Sequence, residues 1–406
     1  MKDAIATEPD ARRYDLDWLR VFAFAVLIFY HVGMFYVTWD WHVKSVHVGT
    51  DAEWLMRLVN PWRLPILFFI SGLALRFVAD AGSPLRLARR RITRLGLPIV
   101  FGMAVVVAPQ AYFELVAKGE FNGSFAAFFP HYLDPTSDFS IITPTWNHLW
   151  YVVYILVYTL LFIPAARPLS RFMAGRGAAF TASAFRGPKG VVVALALLAA
   201  PHIIIELTIA DLFPATHNLV ADWATHASCL TVFVFGFALA KDRAFWAAID
   251  RGLAPIGCLA AALAILFAAL WLNWEDLRGA VVTSPALSII VPTLRIVAAW
   301  ATILALFALA QRYLNRPSRV LTYATEAVFP WYILHQTILV AAGVSLTALG
   351  LPVATEVLAV LFVTFVGCAL LHELFIRRIA VLRPLFGKRI PGRRGAPRTV
   401  AARSAS

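Results

Sequence analysis

The feature that most constrains the fold of this chain is a series of uninterrupted apolar runs, each about 20 residues long, which is the length of helix that crosses a bilayer. The strands of an outer-membrane barrel alternate apolar and polar residues over only about 10 positions instead. The sequence therefore predicts an all-α, polytopic integral membrane protein with about ten transmembrane helices. We predict these helices at 17–37, 59–79, 95–115, 148–168, 190–210, 224–241, 253–273, 287–310, 323–345 and 353–376.

The composition excludes the obvious alternatives. Hydrophobic residues make up 60% of the 406 residues and charged residues 15%, whereas soluble domains average about 45–50% and about 25%. Such a composition fits neither a disordered chain nor an ordinary soluble enzyme. The three cysteines all lie inside apolar runs, so they predict neither a disulfide framework nor a zinc site.

The basic residues predict how the helices are oriented. Every second link is rich in Lys and Arg, whereas the intervening links carry mostly Asp and Glu. Because cytoplasmic links of membrane proteins are the basic ones, this alternation predicts both termini in the cytoplasm and a multi-pass protein of the inner membrane. It also accounts for the net charge of +13 without a nucleic-acid partner.

The same patterns divide the chain into three parts. We predict a cytoplasmic N-terminal segment (1–16), a membrane domain (17–376) and a basic cytoplasmic tail (377–406) that is disordered and faces anionic lipids.

The first apolar run carries two ionisable residues, Arg20 and His31. Eleven residues of α-helix make three turns plus about 20°, so both side chains share one helix face and are separated by roughly 16 Å along the axis. One interpretation is an arginine at the lipid interface and a histidine bonded to a neighbouring helix. The other is a path from the cytoplasm to a buried general base, since an unperturbed imidazole (pKa about 6.5) is mostly neutral at pH 7.

A second group is the arginine cluster before the third run, with Arg90, Arg91 and Arg94. Cytoplasmic topology alone explains such a cluster. The alternative is a site for a polyphosphate, because arginine forms bidentate bonds with phosphate. Arg91 and Arg94 are three residues apart and would share a helix face.

Five further residues complete the candidate site. Each on its own is typical of a structural contact, but polar groups inside a membrane domain usually mark a functional path. There is no nucleophile elbow, nucleotide-binding glycine motif or metal-ligand spacing. The candidates for substrate-binding or supporting roles are Ser71, His148, Trp150, Glu326 and His335.

Taken in order, these blocks resemble the acyltransferase-3 family of integral membrane acyltransferases, over roughly residues 13–376. The resemblance also extends, through Asp15–Arg20, to the branch with a succinyltransferase that modifies periplasmic glucans. The matching blocks are Leu16–Arg20 with His31, Pro65–Gly72, Arg91–Leu95 with Pro98, His148–Tyr151 and Tyr332–Gln336.

The resemblance implies an enzyme that transfers an acyl group from cytoplasmic acyl-coenzyme A to a hydroxyl of a glycan or glycolipid on the outer side. It implies that His31 is essential, that Arg20 lies on the donor path, and that the Arg90–Arg94 cluster holds the coenzyme A phosphates, without a metal. Some family members carry an additional periplasmic hydrolase-like domain. We expect none here, so the membrane domain or a separate periplasmic partner would complete the transfer.

Two questions stay open at this point. His31 could deprotonate the acceptor directly, or it could be acylated first. A polytopic transporter is the competing function, since intramembrane polar groups also line solute paths, although no inverted repeat of the kind that transporters show is evident.

Overall fold

A computed structural model describes residues 12–79 and 83–389, which form a bundle of helices. Within these ranges there is no β-strand, apart from an isolated bridge between Val37 and Gly49. Nine of the described helices are long and apolar enough to cross a membrane, and ten if one bent pair counts as a single span. The predicted all-α class and the number of about ten spans are confirmed, whereas the cytoplasmic position of the termini stays a prediction.

The nine candidate spans lie close to the predicted positions, and the third begins earlier because Ser83 caps it and Pro84 follows the cap. They are α1 (Tyr14–Tyr36), α2 (Glu53–Ala79), α3 (Pro84–Ala117), α5 (Asn147–Ala184), α6 (Gly190–Thr208), α9 (Leu253–Leu272), α11 (Leu287–Tyr313), α12 (Arg319–Thr347) and α13 (Val353–Ile376). The remaining helices are α4 (Phe125–Leu133), α7 (Trp223–Leu239), α8 (Arg243–Arg251), α10 (Trp274–Thr283) and α14 (Leu382–Leu385).

The predicted sixth span is the bent pair, in which α7 and α8 meet at 101°. Asp242 lies at the bend and accepts a hydrogen bond from the backbone N–H of Phe245 at 2.8 Å, which caps α8. The apolar α7 therefore ends just before Asp242, and the amphipathic α8 continues in a different direction.

A close contact between helix backbones joins α2 to α7. A Cβ added at Gly72 would lie 1.9 Å from the carbonyl oxygen of Phe233, and one added at Gly236 would lie 2.0 Å from that of Phe69. Small residues are typical of membrane-helix interfaces because they let two backbones approach. This contact fixes α2, which also packs against α1, α5, α9 and α11.

The start of α3 is not a regular helix. Arg91 ends an α-helical stretch, and Ile92–Gly96, which contains Arg94, forms a π-helical turn. Such turns are frequent at functional sites. The spacing between Arg91 and Arg94 is therefore not that of the α-helix assumed from the sequence.

Part of the predicted disordered tail is ordered. Phe386 is buried and packs against Phe101, with ring centroids 5.5 Å apart. Gly387 adopts a φ of 70° and fits closely against Phe329 and the backbone of Arg94. The prediction for residues 390–406 lies outside the described residues.

Both the start of α1 and this C-terminal segment lie at one end of the bundle, which we call the basic end. Tyr14 donates its backbone N–H to Asn315, just after α11, at 3.1 Å. Lys388 in turn contacts Glu326, near the start of α12, at 3.0 Å. The links at the other end, residues 37–52 and 118–146, include the short helix α4.

Candidate active site

Two histidines meet between α1 and α12. Nδ1 of His31 lies 2.8 Å from Nε2 of His335. The two rings are nearly parallel, with an angle of 4° and centroids 5.1 Å apart. His335 is completely buried, whereas His31 is half-buried. The structure thus brings together two histidines that are 304 residues apart.

The hydrogen-bond partners assign the tautomers of these rings. Nδ1 of His335 lies 2.7 Å from the carbonyl oxygen of Tyr332. A carbonyl only accepts, so this nitrogen carries the proton, and Nε2 of the neutral ring accepts. His31 must then donate from Nδ1 to His335. Nε2 of His31 is left with a free lone pair, and it has no partner among the described residues.

His148 supports the same turn of α12. It is buried, and its Nε2 lies 3.1 Å and 3.2 Å from the carbonyl oxygens of Tyr332 and Ile333. Its ring meets that of His335 edge to face, with centroids 5.2 Å apart. In return, the hydroxyl of Tyr332 donates to the carbonyl oxygen of His148. His148 therefore fixes the backbone that orients His335.

A chain of polar side chains leads from this turn toward the end opposite the basic end. Gln336 donates from Nε2 to Oε1 of Gln110 at 3.1 Å and to Nε2 of His42 at 2.9 Å. Nδ1 of His42 donates to Glu114 at 2.5 Å. Glu114 also accepts from Lys118 at 2.7 Å. Every donor in this chain meets an acceptor, so the network holds its members in one arrangement.

Gln110 is the centre of that network. It is fully buried and donates to Thr337 at 2.6 Å, and its Nε2 lies 3.4 Å from Nδ1 of His148. Its Oε1 also accepts from Asn147 at 3.1 Å. One amide side chain thus joins α3, α5 and α12 around the histidines.

The basic end contains Arg20, eleven residues before His31. Arg20 is half-buried and donates to Asp17 at 3.0 Å. Its Nε is buried and has no hydrogen-bond partner among the described residues. The rise of the α-helix separates Arg20 from His31 by roughly 16 Å.

Arg91 and Arg94 lie at the same end and close enough for their charges to interact. Arg91 is half-buried, whereas Arg90 and Arg94 are exposed. Within the described residues, no carboxylate forms an ion pair with any of the three. The cluster therefore presents uncompensated positive charge at the basic end, which favours an anion there.

Three other predicted residues lie apart from the histidine pair. Ser71 lies 2.9 Å from the hydroxyl of Tyr151 and so joins α2 to α5. Trp150 stacks on His217, with ring centroids 4.2 Å apart, and faces the link after α6. Glu326 pairs with Lys388 at the basic end, about 14 Å along α12 from His335.

Sequence reasoning did not select the network residues Gln110, Glu114 and His42, and it included Gln336 in the Tyr332–Gln336 block without assigning it a role. Gln110 and Glu114 are four residues apart in an otherwise apolar run, which is the spacing of one helix face. This spacing is a signal in the sequence by which Gln110 and Glu114 could have been selected. His42 lies in a link between helices, and nothing in the sequence indicates that it reaches α12.

The arrangement can act as a general base. His31 offers an unprotonated nitrogen, and His335 accepts a hydrogen bond from Nδ1–H of His31 and so fixes both its ring orientation and its tautomer. A histidine positioned in this way can remove a proton from a hydroxyl. No group of His, Cys, Asp and Glu among residues 12–79 and 83–389 could hold a metal ion.

The fold and the site therefore define a polytopic membrane protein with an intramembrane histidine pair. A family profile described as an acyltransferase domain, that of the acyltransferase-3 family, matches residues 13–373. The chain belongs to this family of membrane acyltransferases.

Individual relatives match over a shorter part of the chain. Glucans biosynthesis protein C from Salmonella paratyphi B, and its counterparts from Salmonella heidelberg and Salmonella agona, are each 25% identical over 160 residues. This alignment covers 38% of the chain and 39% of each relative, so the chain spans about two fifths of the length of these curated relatives. No solved structure matches the chain.

Proposed function

We propose that the protein is a membrane-embedded O-acyltransferase of the inner membrane. It moves an acetyl, succinyl or similar acyl group from cytoplasmic acyl-coenzyme A to a hydroxyl of an envelope or exported glycan. The observation that carries the proposal is the free Nε2 of His31, whose tautomer is fixed by His335. The family and the name of the relatives, which refers to glucans, support the transferase class and the glycan acceptor.

In this proposal His31 is the general base. Its Nε2 takes the proton of the acceptor hydroxyl, and the hydroxyl oxygen forms a bond with the carbonyl carbon of the thioester. The carbon–sulfur bond breaks, and the departing thiolate takes the proton back from His31. The proton therefore moves from the acceptor to coenzyme A, and the reaction needs no other base.

The donor enters from the basic end in this proposal. Arg90, Arg91 and Arg94 bind the coenzyme A phosphates, since they have no described carboxylate partners and arginine suits phosphate. Arg20, with its unpartnered Nε, lies along the path of the pantetheine arm. The separation of roughly 16 Å between Arg20 and His31 lets the thioester reach the imidazole while the nucleotide stays outside the bundle.

The acceptor approaches from the opposite, outer end, where Trp150 and the links 37–52 and 118–146 lie. An aromatic side chain at that end suits stacking against a sugar ring. Both termini are then cytoplasmic, and the acylated glycan leaves either directly or through a separate periplasmic partner. Membrane lipids surround the helices.

The test compares envelope glycans by mass spectrometry in cells that make the wild-type protein, His31→Ala or His202→Ala. His202 is a matched half-buried histidine whose Nδ1 lies 3.0 Å from the carbonyl oxygen of Leu198. All three proteins must first reach the membrane at equal abundance. We expect one acyl mass increment to disappear in His31→Ala and to persist in His202→Ala.

Persistence of the increment in His31→Ala would exclude His31 as the base. The purified protein separates the two forms of the mechanism. Incubation with labelled acyl-coenzyme A alone should leave no label on His31 if transfer is direct, whereas a trapped acyl-His31 would show that the histidine is acylated first.

A further inference from the structure

Arg63 in α2 is a buried cation that the mechanism above does not use. Its side chain is only 8% exposed. The guanidinium carbon lies 3.6 Å from the centroid of the Tyr30 ring, and Nη2 donates to Asn60 at 3.0 Å. Its Nε is buried, and among residues 12–79 and 83–389 it has no hydrogen-bond partner and no carboxylate forms an ion pair with Arg63.

A charge in this position is costly. A cation buried in a membrane domain usually pairs with an acid, and an unpaired one is destabilising by several kcal/mol. Elsewhere in the candidate spans the chain pairs a less buried cation with an acid, because Arg295 in α11 forms an ion pair with Glu206 in α6. The ring face of Tyr30 and the amide of Asn60 compensate the positive charge of Arg63 only in part, since neither supplies a negative charge.

Arg63 lies close to the histidine pair. The rings of Tyr30 and His31 have centroids 6.3 Å apart. Because Arg63 packs on Tyr30, its guanidinium carbon lies within about 10 Å of the His31 ring. A four-carbon acyl chain is about 5 Å long, given carbon–carbon bonds of about 1.5 Å. With a contact distance of about 3 Å at each end it covers this separation, so one substrate can reach both residues.

The other neighbour of Arg63 is the link between α6 and α7. Burial lowers the pKa of His217 in this link, the carboxylate of Asp222 opposes that shift, and the positive charge of Arg63 lowers the pKa further. Since this link also covers Trp150, Arg63 lies between the histidine pair and the end of the bundle where we expect the acceptor.

We propose that Arg63 binds an anionic group, a carboxylate or a phosphate, that one of the two substrates carries beside His31. The guanidinium offers an unused N–H to an oxyanion, and the buried position strengthens that bond. The anion is either the distal carboxylate of a dicarboxylic acyl group or an acidic substituent of the acceptor glycan. The assignment rests on the acyltransferase function proposed above.

The experiment measures kcat/KM of the purified protein for two pairs of substrates. Each pair has one charged and one neutral member. The donor pair is succinyl-coenzyme A and butyryl-coenzyme A, with one neutral glucan. The acceptor pair is carboxymethyl glucan and unmodified glucan, with acetyl-coenzyme A. The proteins are the wild type, Arg63→Met, Arg63→Lys and the control Arg57→Met, which removes a cation of the same helix that pairs with Glu53.

We expect the wild type to prefer the charged member of one pair, and this pair identifies the source of the anion. The charged-to-neutral ratio should fall about 10- to 100-fold in Arg63→Met, because a hydrogen bond to a charged group is lost. It should fall less in Arg63→Lys, which keeps the charge, and stay unchanged in Arg57→Met. If Arg63→Met does not accumulate, Arg63→Lys alone decides the outcome.

Two results would overturn the proposal: a wild type without charge preference in either pair, or an Arg63 variant that slows both members of a pair equally. A wild type that is inactive with every pair would count against the acyltransferase function instead. The anion site is then judged by the melting temperature of the protein with succinate, succinamide or inorganic phosphate. Stabilisation by an anion that depends on Arg63 supports the site, and stabilisation that is equal in Arg63→Met, or absent, refutes it.

Discussion

The polar groups around the His31–His335 pair and those of the arginine cluster at the basic end differ in how far they are paired. Around His335 and His148, each ring nitrogen and each amide of the network meets a partner, and Nε2 of His31 is the exception. In the part of the basic end that the structure describes, Arg91 and Arg94 form no ion pair with a carboxylate, and Nε of Arg20 has no hydrogen-bond partner.

Under the proposed function, this difference separates a site for chemistry from a site for binding. A base must be held in one orientation and one tautomer before the substrate arrives, so its neighbours are saturated with hydrogen bonds. A site for an anion must leave cations unpaired, since a resident carboxylate would compete with the ligand. Arg63 follows the second pattern although it lies beside the first region, which is why we assign it to binding.

The largest expected effect concerns the orienting role of His335. In His335→Leu, Nδ1 of His31 loses its acceptor and the imidazole is free to adopt the other tautomer. We expect kcat to fall about 100-fold or more, within the range that a positioned base contributes, with little change in KM for acyl-coenzyme A.

A glutamine at this position is the matching test of the mechanism. His335→Gln keeps an oxygen that can accept from His31 and an N–H that can reach Tyr332, so it should recover part of the rate. The pH profile of kcat should move in the leucine variant and return toward the wild-type profile in the glutamine variant. Equal losses and unchanged profiles in both variants would show that His335 only fills space.

The second prediction concerns the α2–α7 contact that supports both regions. In Gly72→Ala the new methyl group would lie 1.9 Å from the carbonyl oxygen of Phe233, so the helices must separate. Overpacking typically costs about 1–3 kcal/mol, and we expect a lower melting temperature in detergent. Gly257→Ala, at a helical glycine with open space around it, should leave the melting temperature unchanged or raise it. Equal changes of the melting temperature in Gly72→Ala and Gly257→Ala would refute the importance of the α2–α7 contact.

A tenfold effect is expected at the basic end. Arg91→Ala and Arg94→Ala should each raise KM for acyl-coenzyme A about 10-fold, the loss of one charged hydrogen bond of about 1.5 kcal/mol, while kcat changes little. The effect should diminish at high salt because the cluster is near the surface. Arg86→Ala is the control, because Arg86 is an exposed arginine that precedes Arg91 and Arg94 in the same helix. A fall in kcat instead of a rise in KM in the Arg91 and Arg94 variants would contradict the assignment to binding.

The smallest effect is expected from the C-terminal segment. Burial lowers the pKa of Lys388, and its contact with Glu326 opposes the shift. Lys388→Met removes that contact and should loosen residues 386–387 from the backbone of Arg94, so KM for acyl-coenzyme A should rise a few-fold. Arg378→Met, an exposed change in the same segment, should have no effect, and an unchanged KM in Lys388→Met would separate this segment from the donor site.

The sequence by itself determined the fold class, because a run of 20 apolar residues has few options other than a membrane helix. It also placed Arg20 and His31 on one face of α1, because helix geometry is local. The break after α7 was less evident, since it depends on Asp242 capping a new helix.

The tertiary structure decided which polar residues work together. The contact between His31 and His335 joins helices 304 residues apart, and no local periodicity encodes it. No local periodicity encodes the contact of His42 either, which reaches Gln336 from a link between helices. Glu326, in contrast, pairs with Lys388 at the basic end and lies far from the His31–His335 pair. Periodicity indicates which face of a helix a residue occupies, but packing decides which neighbour lies on that face. In this bundle, Gly72 and Gly236 allow the backbones of α2 and α7 to pack closely.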